Sequence, residues 1–280
     1  MLDAGPTAVL PRRPLTVGEL LDSAVLLLRG QAHVLVPVAL VLTVAEQLLL
    51  HPLRQVASTG PPAWLVEFER FGVYWVLLAV GAATEAAIIL LLGNPAARAA
   101  GAALLGRAAG ARELLRPAGA RWGATGLLAV LTGLLMGGLA LLGPAWIVGF
   151  ALLGAVAPAL VVDRVHPLRA PLRATALAVR GGGRAGWIRL LGYLVWWIVR
   201  LGLGIGVHVG LNSLDLVDPA WAWWLSMAVW AGVNAVAYPA LACLDAVLHL
   251  ETRMRTEGLD IRLSRARAGT PETVLLAVMR

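Results

Sequence analysis

The sequence contains no lysine, and all 23 of its basic residues are arginine. Without lysine the chain cannot hold a P-loop lysine, a lysine Schiff base or a Ser-x-x-Lys nucleophile. Its one cysteine, Cys243, excludes an internal disulfide framework and zinc sites built from several cysteines. The five histidines form no His-x-x-x-His pair, and no Gly-x-Ser-x-Gly elbow is present. We therefore expect no catalytic residue, no metal site and no cofactor.

Charge is scarce as well, because only 14% of the residues are charged and 59% are hydrophobic. Ordinary globular domains carry about 25% charged residues. Apolar segments of about 17 to 25 residues, the length that crosses the hydrocarbon core of a bilayer, recur along the chain. This pattern predicts an all-α integral membrane protein with six transmembrane helices. We place the spans at 33–52, 72–92, 123–142, 145–162, 187–209 and 222–248.

The arginines predict the orientation of these spans. Of the 23, 19 lie before span one, between spans two and three, between spans four and five, or after span six. Positive charge accumulates in loops that stay in the cytoplasm. We therefore expect a plasma-membrane protein with a cytoplasmic tail at 1–13, a single membrane domain at 14–250 and a second cytoplasmic tail at 251–280. Basic charge confined to loops favours anionic lipid headgroups as partners and disfavours nucleic acid.

An amphipathic segment precedes span one. Thr16 and Glu19 have the spacing of a capping box, which predicts a helix beginning at Val17. Its polar residues Glu19, Asp22 and Arg29 share one face, and the other face is apolar. About 13 residues are too few to cross a bilayer. The segment is therefore predicted to lie along the cytoplasmic interface, with its apolar side against lipid or the ends of the bundle.

Similar arginine-bearing segments occur at 98–116 and 168–180. They predict two further interfacial helices and, with the hairpins that follow, three units of one helix and two spans. A threefold repeat and a chance match both stay open, because arginine, leucine, alanine and glycine dominate this composition. The arginines that we expect to contact anionic headgroups are Arg29, Arg116, Arg169, Arg173 and Arg180.

Three charged residues stand out inside the predicted spans. Glu46, Glu85 and Arg200 would each cost about 2.5 to 3.5 kcal/mol on insertion. Counting about 1.5 Å per residue puts Glu46 and Arg200 at similar depth, and Glu85 level with Asn234. One interpretation is a polar pathway or binding site at mid-membrane, with His208 near its outer mouth. The alternative is that these groups are structural ion pairs or hydrogen bonds that fix the helices, or that the carboxyls stay protonated.

Glycines are spaced for close helix contact. Gly202, Gly206 and Gly210 share one face of span five, and Gly133 and Gly137 share one face of span three. Small residues at this spacing allow a neighbouring backbone to approach. We interpret both groups as surfaces for helix packing or for self-association into a homo-oligomer.

The stretch after span six has a different pattern. Gly258 is placed to end the helix that continues from this span. Leu259, Ile261 and Leu263 then alternate with polar residues. The alternation predicts a short strand or an amphipathic edge.

Three stretches resemble the membrane domain of glycerophosphoryl diester phosphodiesterases: "RPLTVGELLDSAVLLLRG", "APALVVDRVHPLRAPLRATALAVRGG" and "RMRTEGLDIRL". Many members of that family, especially in actinobacteria, consist of the membrane part alone. The resemblance implies a helical multi-span fold whose biochemical role is largely undefined. The catalytic TIM barrel of the family needs about 250 residues, and its catalytic motif matches no position here. The resemblance therefore implies no phosphodiesterase activity for this chain.

Three functions remain open from the sequence. The first is a non-enzymatic scaffold or accessory subunit that acts through its arginine-rich cytoplasmic helices. The second is a small-solute or lipid transporter that uses Glu46, Glu85 and Arg200. The third is the membrane partner of a separate catalytic chain.

Overall fold

The computed structural model describes residues 10–59, 68–214, 221–267 and 270–278, which are helical and contain no strand. The all-α prediction is confirmed. The helices are α1 (Val17–Ala57), α2 (Phe71–Leu104), α3 (Ala111–Leu115), α4 (Trp122–Leu141), α5 (Ala145–Leu153), α6 (Val156–Val161), α7 (Ala170–Val179), α8 (Arg184–Ser213), α9 (Ala222–Glu257), α10 (Leu259–Ser264) and α11 (Glu272–Leu276). Short 3₁₀ turns precede α2 and α7.

Five of these helices, α1, α2, α4, α8 and α9, are long and apolar enough to cross a membrane. The segment predicted as the fourth span is instead broken into α5 and α6. Proline has no N–H, so Pro158 cannot donate to the carbonyl of Gly154, and its ring crowds that carbonyl. The helix is interrupted at this point. The structure therefore supports a multi-span membrane protein with five candidate spans among the described residues.

The predicted interfacial helix at the start of the chain is not a separate element. Thr16 caps α1 as expected, since its hydroxyl accepts from the Glu19 backbone while the Glu19 carboxylate accepts from the Thr16 backbone. The helix then continues for 41 residues through Gly30 into the first span. At about 1.5 Å per residue α1 is about 60 Å long, twice the thickness of the hydrocarbon core. Leu20 and Leu27 are buried, so the first turns of α1 pack on protein.

The other two predicted interfacial helices differ from each other. Residues 98–116 divide between the end of α2 and the short α3. Residues 168–180 do form a separate helix, α7, with Pro171 in its first turn. The three units therefore have different helix boundaries, and the structure does not bear out a threefold repeat.

The bundle has an arginine-rich end, where α1 and α8 begin and α2 and α9 end, and an opposite end. Helix α9 is the central element and packs against α1, α2 and α8, while α4 packs against α2. Gly133 and Gly137 allow this last contact, since a Cβ at Gly133 would lie 2.7 Å from the Ala83 carbonyl oxygen. The packing role predicted for these two glycines is confirmed.

The glycine face of α8 behaves differently. A Cβ added at Gly202, Gly206 or Gly210 would meet no described atom within 4 Å. The prediction that these three glycines pack against another helix of the same chain is therefore wrong. Their role in self-association stays a prediction. Other α8 glycines do contact the rest of the chain: Gly186 faces Ala151, Gly192 faces Leu244 and Gly204 faces Trp230.

The segment after α9 is a helix, so the predicted strand is wrong. Gly258 ends α9 in the left-handed conformation with φ 61°, as predicted. Leu259 and Leu263, which alternate in a strand, are also four residues apart and share a helix face. Both are buried in α10, and Ile261 between them is exposed.

Candidate functional site

A cavity of about 370 Å³ lies in the half of the bundle that is farther from the arginine-rich end. Helices α1, α2, α8 and α9 form its walls, with Trp146 of α5 at one side. Its polar lining consists of Glu46, Gln47, Arg54, Thr59, Glu85, Arg200 and Asn234. Its aromatic lining consists of Tyr74, Trp75, Trp146, Tyr193, Trp197, Trp230 and Tyr238, which include all three tyrosines of the sequence. Charged groups and aromatic rings therefore border the same space.

Four of the five residues predicted for a mid-membrane site line this cavity. They are Glu46, Glu85, Arg200 and Asn234. His208 does not line it, and its Nδ1 lies 3.3 Å from the Ser226 hydroxyl on α9.

Arg200 pairs with Glu85, and not with Glu46, which the count of residues had placed at a depth similar to that of Arg200. The Arg200 Nη1 atom lies 3.1 Å from a Glu85 oxygen. The guanidinium carbon is 5.4 Å from the centre of the Tyr193 ring and 5.6 Å from that of Tyr238, within cation–π range. An ion pair between two aromatic rings is fixed in orientation, and its charges neutralise each other.

Glu46 is held by neutral groups. The Tyr238 hydroxyl donates to its carboxylate at 3.1 Å, the Thr84 hydroxyl lies 2.9 Å from Oε1, and the Asn234 amide lies 3.5 Å from Oε2. Only 4% of Glu46 is exposed. In the described part of the chain no arginine or histidine lies within ion-pair distance of it. Glu46 is thus a buried acid without a paired cation, which is a costly arrangement.

A second unpaired charge stands nearer the opposite end of the same helix. Arg54 is 6% exposed and donates to the Gln47 side-chain oxygen at 2.8 Å. The Gln47 amide group in turn lies 3.4 Å from Glu46. No carboxylate of the described residues forms an ion pair with Arg54. One glutamine therefore separates an unpaired cation from an unpaired anion.

Four buried polar atoms of the lining have no hydrogen-bond partner within the described residues. These are Thr59 Oγ1, Glu85 Oε1, Arg200 Nε and Asn234 Oδ1, and of these Glu85 Oε1 lies 3.1 Å from Arg200 Nη1 in the ion pair. An unsatisfied buried donor or acceptor costs about 1 to 3 kcal/mol. All four residues line the cavity, so donors and acceptors are available there to a polar group of a ligand.

The sequence interpretation missed several residues of this site. Arg54 was assigned to a loop, but α1 continues past the predicted end of span one to Ala57. Tyr238 carried a usable signal, because it stands one helical turn after Asn234 and therefore on the same face. Nothing in the sequence marked Tyr193 and Gln47, because their position at the cavity depends on the rotation of α8 and α1.

A second buried ion pair lies closer to the arginine-rich end. Arg189 of α8 donates to both carboxylate oxygens of Asp245 of α9, at 2.6 and 3.1 Å, and its guanidinium lies 4.0 Å from the Phe150 ring centre. Neither charged residue lines the large cavity. Both lie near the ends of predicted spans, where charged residues are common, so the sequence did not mark them as unusual. This pair joins α8 to α9.

The arginine-rich end contains a network around Asp163, which follows α6. Arg173, Arg253 and His249 each lie 2.8 Å from its carboxylate. Burial alone would raise the pKa of Asp163, but these three groups outweigh burial and lower the pKa to about 2. Glu257 extends the network by pairing with Arg173 at 2.5 Å.

The five arginines proposed for lipid contact are in two different environments. Arg173 and Arg180 pair with Glu257, and Arg173 is largely buried. Arg29, Arg116 and Arg169 are exposed at the surface of the arginine-rich end. The last three are free to meet a charged surface, and their contact with lipid stays a prediction.

Within the described ranges no group of three or more His, Cys, Asp or Glu side chains is arranged to hold a metal ion. Comparisons with protein families, curated proteins and solved structures find no match to this chain. The resemblance to the membrane domain of glycerophosphoryl diester phosphodiesterases stays a prediction. The functional assignment therefore depends on the geometry of the cavity.

Proposed function

We propose that this chain is a multi-span plasma-membrane transporter of a small polar solute, which binds in the large cavity. The observation that carries the proposal is the presence of Glu46, Glu85 and Arg200 around one cavity in helices of membrane-crossing length. Charged residues inside the membrane are costly, and where they border a cavity they mark substrate or ion pathways. The proposal assigns no covalent chemistry to the chain.

The alternative, that these charges only fix the helices, accounts for part of the site. The pair of Glu85 and Arg200 joins α2 to α8 and would serve that purpose. It does not account for Glu46, which has no cationic partner in the described part of the chain. A structural carboxylate is normally compensated where it is buried. An acid that borders open volume without such a partner supports a binding role.

The proposed topology places the arginine-rich end in the cytoplasm. Ala145–Val161 would be a sixth, interrupted crossing, so that both termini lie on the cytoplasmic side. Exposed arginines such as Arg29, Arg116 and Arg169 would then face anionic headgroups, each contributing up to about 1 kcal/mol of attraction. The cavity would lie in the outer half of the membrane.

The experiment is a flux assay in proteoliposomes that contain the purified full chain. Amino acids, betaines, alkylamines, short carboxylates and sugars are added one at a time, and uptake is compared with protein-free liposomes. We expect uptake of at least one solute class, with a loss of tenfold or more in Glu85→Gln and in Arg200→Gln.

The controls for this assay make the same charge changes outside the cavity. Glu69→Gln alters an exposed residue at the opposite end, and Arg29→Gln alters an exposed residue of α1. Both should transport at the wild-type rate. Absence of uptake for every solute class in folded wild-type protein would overturn the proposal.

A second candidate is a scaffold or accessory subunit, favoured by the open glycine face of α8. Gly206 stands at the centre of this face and meets no described atom of the chain. Helices with small residues at four-residue spacing associate through such faces. Cross-linking of Gly206→Cys in native membranes would test this candidate, since a specific disulfide dimer or heteromer is expected only if the face is an interface.

A further inference from the structure

We infer that the solute is a small zwitterion, which binds with its cationic group at Glu46 and its anionic group at Arg54. This inference rests on the proposed function of the cavity and adds the chemical class of its ligand. It follows from the charges that remain after the ion pairs of the lining have been assigned.

Charge balance is the first constraint on the ligand. The lining contains two acids and two arginines, and Glu85 neutralises Arg200 at 3.1 Å. Glu46 and Arg54 are left, each held only by neutral groups in the described part of the chain. A cation alone would compensate Glu46 and leave Arg54 unpaired, and an anion alone would do the reverse. Because an uncompensated buried charge is expensive, a ligand with both charges fits best.

The orientation of the two charges is the second constraint on the ligand. Gln47 donates its amide group towards Glu46 and accepts from Arg54 through its oxygen. The charges of Glu46 and Arg54, which this amide bridges, set the direction of the field in the cavity, with the negative charge deep and the positive charge farther from the arginine-rich end. A zwitterion alongside this amide would place its cationic group deep and its anionic group near Arg54.

The aromatic lining is the third constraint, and it acts on the cationic group of the ligand. Glu46 touches the hydroxyl of Tyr238, whose ring lies 5.6 Å from the Arg200 guanidinium carbon. Tyr193 and Trp230 line the same cavity. Aromatic faces attract cations, and they recognise alkylated ammonium groups particularly well. The aromatic lining therefore favours a substituted ammonium over a strongly hydrated metal cation.

The size of the cavity is the fourth constraint on the ligand. Ligand pockets usually measure about 300 to 1,000 Å³, and the cavity of about 370 Å³ is at the lower end of that range. Such a volume accommodates a compact solute and excludes a complete two-chain lipid. The class that meets all four conditions is a short zwitterion with an alkylated ammonium group.

The test measures binding of four probes to the full chain in nanodiscs by isothermal titration calorimetry. Glycine betaine and phosphocholine carry both charges. Choline carries only the positive charge, and 3,3-dimethylbutanoate is the carbon analogue of glycine betaine with only the negative charge. We expect at least one of the two zwitterions to bind at least tenfold tighter than either singly charged probe, since each charge makes its own charge-assisted contact.

Two variants assign the ends of the probe. Glu46→Gln should weaken zwitterion binding tenfold or more and abolish the preference over 3,3-dimethylbutanoate. Arg54→Gln should abolish the preference over choline. The charge-matched controls Glu69→Gln and Arg29→Gln should bind as wild type does. If a cavity variant does not fold, the comparison of the four probes on the wild-type chain still tests whether the ligand is a zwitterion.

The outcomes separate this inference from the proposed function. If choline or 3,3-dimethylbutanoate binds as tightly as both zwitterions, the inference is wrong, as it is if neither zwitterion binds. If another solute is nevertheless taken up and Arg200→Gln abolishes its uptake, the transport proposal stands and only the ligand class fails. If no probe binds and no solute is taken up, both fail.

Discussion

The guanidinium group of Arg189 occupies the space that a side chain at residue 154 would need. A Cβ added at Gly154 would overlap Nε and the guanidinium carbon of Arg189. The glycine is therefore required where α5 gives way to α6, because it lets the buried arginine reach Asp245 across the gap between helices.

Gly154→Ala should destabilise the protein by about 1 to 3 kcal/mol, the usual cost of overpacking a filled core. The matched control is Gly138→Ala on α4, where an added Cβ meets nothing within 4 Å. Alanine favours helix there, so the control should be neutral or slightly stabilising. The measurement is the free energy of unfolding in detergent. Equal effects at both positions would contradict the close approach of Arg189.

The pair of Arg189 and Asp245 should show strong coupling in a double-mutant cycle. Arg189→Met or Asp245→Leu alone leaves one buried charge unpaired and should cost about 3 to 5 kcal/mol. The double variant removes both charges and should be less destabilised than either single variant. Purely additive losses, measured by chemical unfolding in the same detergent, would mean that the two residues do not compensate each other.

Acid should weaken the arginine-rich end through Asp163. Its pKa is lowered to about 2 in the folded chain, against about 3.9 for an ordinary aspartate. A carboxyl with a depressed pKa stabilises the fold above its unfolded pKa, and this contribution is lost as pH falls from about 5 towards 2. The loss should be about 2 kcal/mol.

Asp163→Asn should remove that part of the pH dependence when thermal unfolding is followed between pH 7 and pH 3. The exposed acid Asp22 supplies the control, because Asp22→Asn should leave the slope unchanged. An unchanged slope in Asp163→Asn would show that the network does not depend on the ionised carboxylate.

The proposed orientation predicts which residues react from outside the cell. In a Cys243→Ala background, single cysteines at the exposed positions Ser58 and Leu214 should label with an impermeant maleimide. Cysteines at Gly110 and Arg265 should label only after the membrane is permeabilised. The reverse pattern would place the arginine-rich end outside, and labelling of both pairs from one side would refute the count of crossings.

The membrane class and much of the candidate site could be predicted because both depend on local properties. Span length and hydropathy identify the apolar helices, and a constant rise per residue gives the depth of each charge. Counting was therefore enough to put Glu46 and Asn234 at levels that meet in one cavity. It matched Arg200 with Glu46 and missed its partner Glu85, since that contact depends on the rotation of the helices and not only on depth.

Some helix boundaries were predicted wrongly because they depend on tertiary contacts. A polar stretch around Arg29 suggested a break, but burial of Leu20 and Leu27 keeps α1 continuous through tertiary contacts that local composition does not contain. The break between α5 and α6 depends on Pro158 and also on Arg189, which comes from another helix. Leu259 and Leu263 suit a strand and a helix equally well, and only packing decides between them.

Pro37 interrupts the hydrogen-bond ladder of α1 between its two halves, because it has no N–H to offer the carbonyl of His33. Below this point the helix is anchored, since Arg184 and Arg255 both donate to the carbonyl of Leu15. Above it lie Glu46 and Arg54, and a second proline, Pro52, stands between them. A bend at Pro37 would move both charges, and a bend at Pro52 would change the distance between them, so α1 has one hinge position before the two charges and one between them.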